Sequence, residues 1–148
     1  MDELRDLYQE MILDHGKRPR NQGRIEASTH EADGHNPLCG DVLHLTLTVD
    51  GDTVTDARFE GEGCAISTAS ASMMTDAVKG KNLGEVKRLV DTFIGLATGE
   101  SSPDPNELGK LAVFSGVSEF PARVKCATLS WRTVEAAISG SDEPITTE

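Results

Sequence analysis

The alternation of apolar and polar positions is cleanest between Val42 and Val49, where Leu43, Leu45, Leu47 and Val49 fall on one face and His44, Thr46 and Thr48 on the other. A period of two predicts a half-exposed antiparallel strand. Asp50-Gly51 supplies the left-handed positions of a tight hairpin, so a second strand is expected from Thr53 to about Glu60. Its apolar phase shifts between Val54 and the pair Ala57, Phe59, which predicts a bulge near Thr55-Asp56. With the turn centred on Asp50-Gly51, Asp41 faces the region of Glu60 and Cys39 that of Glu62, so Cys64 comes close to Cys39. A weak edge strand is expected at Arg24 to His30.

Helical spacing governs most of the remaining chain. Leu4, Leu7, Tyr8 and Met11 predict a helix from residue 2 to about 15, with Asp2 as cap and Gly16 as stop. Residues 65–74 read as a helix of small, closely packed residues. Asn82 with Glu85 three positions on is a capping-box pattern, and Val86, Leu89, Val90, Phe93 and Ala97 continue the seam. A loop from Gly99 to Asn106, a short helix from Glu107 to Phe114 and a break at Ser115-Gly116 follow. The last helix starts near Pro121, with Val124, Ala127, Trp131, Val134 and Ile138 on its seam and Trp131 filling the core. A single domain over 1–140 and a flexible acidic tail over 141–148 are expected.

Fourteen Lys and Arg against 25 Asp and Glu leave a net charge of −11, which argues against a phosphate-backbone partner and so against nucleic acid. No apolar stretch approaches the roughly 20 residues that span a bilayer, so no membrane association is expected. The acidic, amphipathic start does not read as a signal peptide, and the expected location is cytoplasmic. In that reducing compartment an odd cysteine count of three points away from a disulfide framework and toward metal binding, catalysis or plain burial.

The three cysteines have informative neighbours. Cys39 lies in Asn36-Pro37-Leu38-Cys39-Gly40-Asp41, a turn-starting Asn-Pro followed by a thiol and a carboxylate two residues apart. Cys64 ends Gly61-Glu62-Gly63-Cys64 at the first turn of a helix, where free N–H groups favour a thiolate. Cys126 sits one position off the last helix's seam beside Arg123 and Lys125, candidate cations for stabilising a thiolate. Three thiols and a carboxylate suit a four-coordinate Cys3Asp site for zinc, and thiolates also hold iron or an iron–sulfur cluster. The alternatives are three unrelated core thiols or one reactive cysteine among passive ones.

The Asn36–Asp41 motif, Phe59-x-Gly61-x-Gly63-Cys64-Ala65-Ile66-Ser67 and Arg123-Val124-Lys125-Cys126 together resemble the IscU/NifU-like proteins of iron–sulfur cluster assembly. The resemblance runs from the N-terminal helix to about Ile138. It implies an α+β, SufE/NifU/IscU-like fold, a small antiparallel three-stranded sheet with helices packed on one side. Lys125 stands where IscU scaffolds have a histidine, and Phe120-Pro121-Ala122-Arg123-Val124-Lys125 replaces their Leu-Pro-Pro-Val-Lys chaperone segment. With the long stretch between Gly95 and Phe114, this points to the SufU branch.

That branch implies zinc on Cys39, Asp41, Cys64 and Cys126, and a pyridoxal-phosphate cysteine desulfurase of the SufS type as partner. The expected function is a zinc-dependent sulfurtransferase that takes persulfide sulfur and passes it to a Suf scaffold or apo-proteins. Cys39 is the expected acceptor, because a turn residue leaves a metal at less backbone cost than the helix-anchored Cys64 and Cys126. A scaffold that builds and transfers an iron–sulfur cluster on the same residues is the alternative.

Overall fold

The computed structural model describes residues 2–101, 108–140 and 145–146, with side chains from residue 9 onward. The seam positions Leu4, Leu7 and Tyr8, residues 102–107 and most of the tail lie outside that description. Helix α1 spans Asp2–Lys17; strands β1 His30–Asn36, β2 Asp41–Asp50 and β3 Thr53–Glu62 follow, then α2 Ala65–Val78 and α3 Leu83–Thr98. A 3₁₀ helix runs over Gly109–Glu119, α4 over Pro121–Ser139, and β4 over Ile145–Thr146. None of the described helices is long and apolar enough to cross a membrane.

The sheet has the order β3-β2-β1-β4, antiparallel except for β4, which pairs in parallel with β1 at Gly34 and His35. The expected three antiparallel strands are therefore corrected to a four-stranded mixed sheet, the fourth strand being two residues of the expected tail. The helices do lie on one side. Helix α4 packs across β1 and α2 across β3. Leu43, Leu45 and Leu47 face them as the alternation predicts, and Ala57 and Phe59 join from β3.

The first strand is also corrected, from 24–30 to His30–Asn36. Its inward positions are Ala32, Gly34 and Asn36, so burial on this strand carries no hydrophobic signature. Leu129 and Thr133 of α4 pass so close to Gly34 that a Cβ there would strike them. Just ahead of the segment expected to be an edge strand, the chain lies along β3, where Phe59 N–H donates to Asn21 O at 3.0 Å and Gly23 N–H to Phe59 O at 2.8 Å, and within that segment Thr29 N–H donates to Leu47 O of β2 at 2.9 Å. Ile25 N–H reaches the outer face of the sheet, donating to Thr46 Oγ1 at 3.1 Å.

The hairpin register differs from expectation through its turn. Asp50 pairs with Thr53, so the loop is Gly51-Asp52, with Gly51 at φ +62°. Thr48 then faces Asp56 while Val49 faces Val54, leaving Thr55 as the extra residue of the expected bulge. Farther on, Val42 opposes Glu62, which sets Asp41 next to the chain entering Cys64 rather than next to Glu60.

Helix α3 starts with the capping box read from Asn82 and Glu85: Glu85 N–H donates to Asn82 Oδ1 at 2.8 Å, and Asn82 N–H to Glu85 Oε1 at 3.2 Å. Trp131 is fully buried, stacks on Phe93 at 4.3 Å between centroids and donates its indole N–H to Ser70 Oγ at 3.0 Å. The buried core is continuous from the sheet to Phe93, Phe114 and Trp131, so folding does not depend on a metal to close it.

His15 ties α1 to α2. It is 8% exposed, and its Nδ1 lies 2.7 Å from Ser72 Oγ. Burial, reinforced by the charge of Arg20, holds its imidazole below the ordinary value of 6.5. The unfolded chain therefore takes up a proton near pH 6.5 that the folded chain resists. Stability contributed by the neutral ring is full above that pH and declines below it. Metal-free protein is expected to lose melting temperature between neutrality and mildly acidic pH, with a shallower loss in His15→Gln. Equal slopes in the two proteins would remove His15 from this role.

Candidate metal centre

Strand β1 ends at Asn36, which pairs with Asp41 at the start of β2, and residues 37–40 form the loop between them. Pro37 restricts Asn36 to extended backbone, and Gly40 takes φ +72° to turn the chain back. Cys39 is exposed in that loop, whereas Asp41 is fully buried below it. The thiol and carboxylate thus converge through the turn, not through the in-phase strand positions expected from the sequence.

Cys64 caps α2. Its thiol accepts the Ser67 N–H at 3.4 Å, and its own N–H donates to Asp41 Oδ1 at 2.8 Å. This close approach needs Gly63, because a Cβ on residue 63 would stand 2.8 Å from Asp41 Oδ1. Cys126, in the second turn of α4, is 3% exposed, and its S–H donates to Cys39 Sγ at 3.2 Å. Asn36 Nδ2 completes the cluster, donating to Asp41 Oδ2 at 3.1 Å and to Cys126 Sγ at 3.5 Å.

Donor atoms of Cys39, Asp41 and Cys126 lie within 4.8 Å of one another. Cys64 falls outside that group of three, yet its thiol bears on Cys126. Burial pushes the Cys126 thiol well above the usual range, and hydrogen bonds with Cys39 and Cys64 and the charges of Cys64 and Asp41 push the same way. Neither of the cations expected to favour a thiolate at Cys126 is among these leading causes. The Arg123 guanidinium lies over the Phe120 ring, 4.7 Å from its centroid, and Lys125 is half-buried.

The donor set fits a thiophilic cation. Each Asp41 oxygen accepts one protein hydrogen bond and keeps a lone pair, and the buried Asn36 Oδ1 has no partner. Tetrahedral zinc with Zn–S near 2.3 Å places two sulfurs roughly 3.8 Å apart. The 3.2 Å between Cys39 and Cys126 is within a small side-chain adjustment of that value. Asn36 and Gly63 are the residues sequence reasoning missed as part of the site. The only signals were an amide ahead of Pro37 and a glycine immediately before Cys64.

Residues 7–139 match the NifU-like N-terminal domain, and the chain belongs to that family. It is 48% identical over 136 residues to the zinc-dependent sulfurtransferase SufU of Bacillus subtilis (strain 168), covering 92% of each chain. It is 43% identical to the iron–sulfur cluster assembly scaffold protein IscU of Streptococcus pyogenes serotype M1, over 95% of this chain and 88% of that one. Among solved structures, that of FiSufU from Fervidobacterium islandicum AW-1, described as a cluster assembly scaffold for the SUF system, superposes with a TM-score of 0.83 at 37% identity. The match covers 87% of this chain and 94% of that one.

Proposed function

We propose that this protein is a sulfur carrier of iron–sulfur cluster assembly, which accepts persulfide sulfur on Cys39 from a SufS-type cysteine desulfurase. Its centre would hold zinc through Cys39, Asp41, Cys64 and Cys126. The observation that supports this reading most is the asymmetry of the thiols: Cys39 is exposed in a loop, Cys64 is half-buried as a helix cap, and Cys126 is buried in α4. Only Cys39 can meet a thiol of another protein without dismantling an element. The relative named as a zinc-dependent sulfurtransferase supports zinc and sulfur transfer together.

A bound zinc ion would keep the thiols deprotonated and protect them from oxidation. In the transfer, the Cys39 thiolate attacks the outer sulfur of the desulfurase persulfide. An S–S bond forms to Cys39, the bond to the desulfurase cysteine breaks, and that cysteine departs as a thiolate, with no net oxidation. Asp41 and Cys126 stay in place, held by Asn36 and by burial. The persulfide then passes to a downstream Suf scaffold or apo-protein.

The second reading is a scaffold that assembles a cluster on the same residues, supported by the IscU relatives. Two measurements separate them. Protein purified without air is expected to carry about one zinc per chain and no visible absorbance, and to raise the turnover of a SufS-type desulfurase. Iron with labile sulfide, a brown colour and unchanged turnover would favour the scaffold.

A further inference from the structure

Resting on the centre proposed above, we infer that Asn36 is a positioning residue that clamps Asp41 and Cys126 together and leaves Cys39 as the one ligand free to exchange. Asn36 is fully buried at the end of β1, in register with Asp41. Its amide nitrogen has two hydrogens, and both have acceptors: Asp41 Oδ2 at 3.1 Å and Cys126 Sγ at 3.5 Å. Both acceptors are candidate ligands, and donors aimed at them favour their anionic forms. Cys39 has no bond to this amide. Its recorded partner in the cluster is the Cys126 thiol.

The orientation of the amide follows from its surroundings. Turned over, the carbonyl oxygen would face a carboxylate oxygen and a thiol sulfur, and two hydrogen bonds would be lost. In the orientation present, Oδ1 is buried with no partner. An orphaned buried acceptor is uncommon in a folded core, and an aliphatic side chain of similar size would avoid it. Asn36 is thus a poor choice for packing and a good one for fixing two neighbouring anions. Pro37 reinforces this by holding the Asn36 backbone extended, which aims the side chain into the cluster.

The clamp divides the ligand set. Asp41 and Cys126 are fixed from the side by one rigid amide, Cys64 is fixed by its helix cap, and Cys39 sits on a loop ahead of Gly40 at φ +72°. A ligand leaving on Cys39 would therefore not scatter the other three. Without the amide, a vacancy at Cys39 would free Asp41 and Cys126 as well.

The test uses the full chain with Asn36→Leu and Asn36→Ala, with zinc as the probe. Both variants are expected to lose about 10–100-fold in zinc affinity by chelator competition, the usual cost of removing a group that orients ligands. Metal-free Asn36→Leu should stay folded, with its melting temperature lowered by no more than the loss of the buried hydrogen bond to Asp41 entails. Two further readouts would not move if Asn36 merely filled space. The thiolate-to-metal absorption of cobalt-substituted protein should shift, and alkylation of zinc-loaded protein, confined to Cys39 in wild type, should spread to Cys126. Unchanged affinity and alkylation pattern in both variants would overturn the inference, as would unfolding of both metal-free variants. Failure of the wild-type protein itself to bind zinc would instead overturn the reading of the centre on which the inference stands.

Discussion

Cys39→Ser is expected to abolish stimulation of a SufS-type desulfurase while leaving the fold intact. The residue is exposed in the loop between β1 and β2, its thiol touches the Cys126 thiol, and a serine of nearly the same size adds no strain there. A hydroxyl cannot attack a persulfide near neutral pH, because its conjugate base is inaccessible, and it also removes a soft ligand from the centre. Lost stimulation alone would not identify the acceptor, since emptying the metal site by any route would do the same. The decisive measurement is location. Wild-type protein is incubated with desulfurase and cysteine, persulfides are trapped by alkylation, and the added sulfur is mapped by peptide mass. The sulfur is expected on Cys39. Sulfur chiefly on Cys64 or Cys126 would reject the assignment. Sulfur on none of the three, with zinc bound and turnover unchanged, would reject the carrier function.

Elements specified by local chemistry were legible in the sequence. The capping box of α3, the alternation of β2 and the placement of Cys64 at the start of α2 each rest on contacts between residues a few positions apart, and each appears in the structure. Elements specified by distant packing were not. Strand β1 is buried through Ala32, Gly34 and Asn36 because α4 crosses it at close range, and nothing near those residues announces the helix. The predicted break at Ser115-Gly116 is absent because Leu111, Phe114 and Val117 are all buried at a spacing of three. That period turns the segment into a 3₁₀ helix through the glycine. The pairing of β2 with β3 was misjudged because the turn sits one residue later than Asp50-Gly51 suggested. The error changed which neighbour Asp41 meets, and the true neighbour is Cys64 itself.

The candidate site was legible as a set of residues and illegible as a geometry. Three thiols and a carboxylate in glycine-rich surroundings could be gathered on paper. Their inequality was legible as one turn thiol against two helix-anchored ones, but their burial was not: one exposed thiol, one half-buried capping thiol, one buried thiol beside a fully buried carboxylate. Nor did Arg123 announce that its guanidinium would lie over Phe120. The amide of Asn36 was hidden for the same reason as β1, since its partners come from β2 and from α4, 90 residues away.

Asp41→Ala is expected to lower zinc affinity severely while changing the metal-free melting temperature little. The carboxylate is fully buried, and its recorded partners are two neutral donors, Cys64 N–H and Asn36 Nδ2. Removing it leaves those donors unpaired, at about 1–3 kcal/mol for a buried group. It also removes a fully buried carboxylate, an effect of the opposite sign. The two effects act against each other in the metal-free protein, whereas nothing offsets the loss of a ligand. That loss should exceed the roughly 10–100-fold typical of a group that only orients ligands. Gly63→Ala supplies the steric counterpart. Its Cβ would sit 2.8 Å from Asp41 Oδ1 and push the carboxylate off the Cys64 N–H, so zinc affinity should fall although every ligand is present. In the Asp41→Ala background that obstacle is gone, and adding Gly63→Ala should cost little further affinity, a non-additivity expected of residues in direct contact. Zinc affinity by chelator competition and metal-free melting temperature, measured on the four proteins of this cycle, check both points. Collapse of the metal-free Asp41→Ala fold with affinity retained would show that Asp41 serves the core, and strict additivity would show that Gly63 acts elsewhere than on its carboxylate.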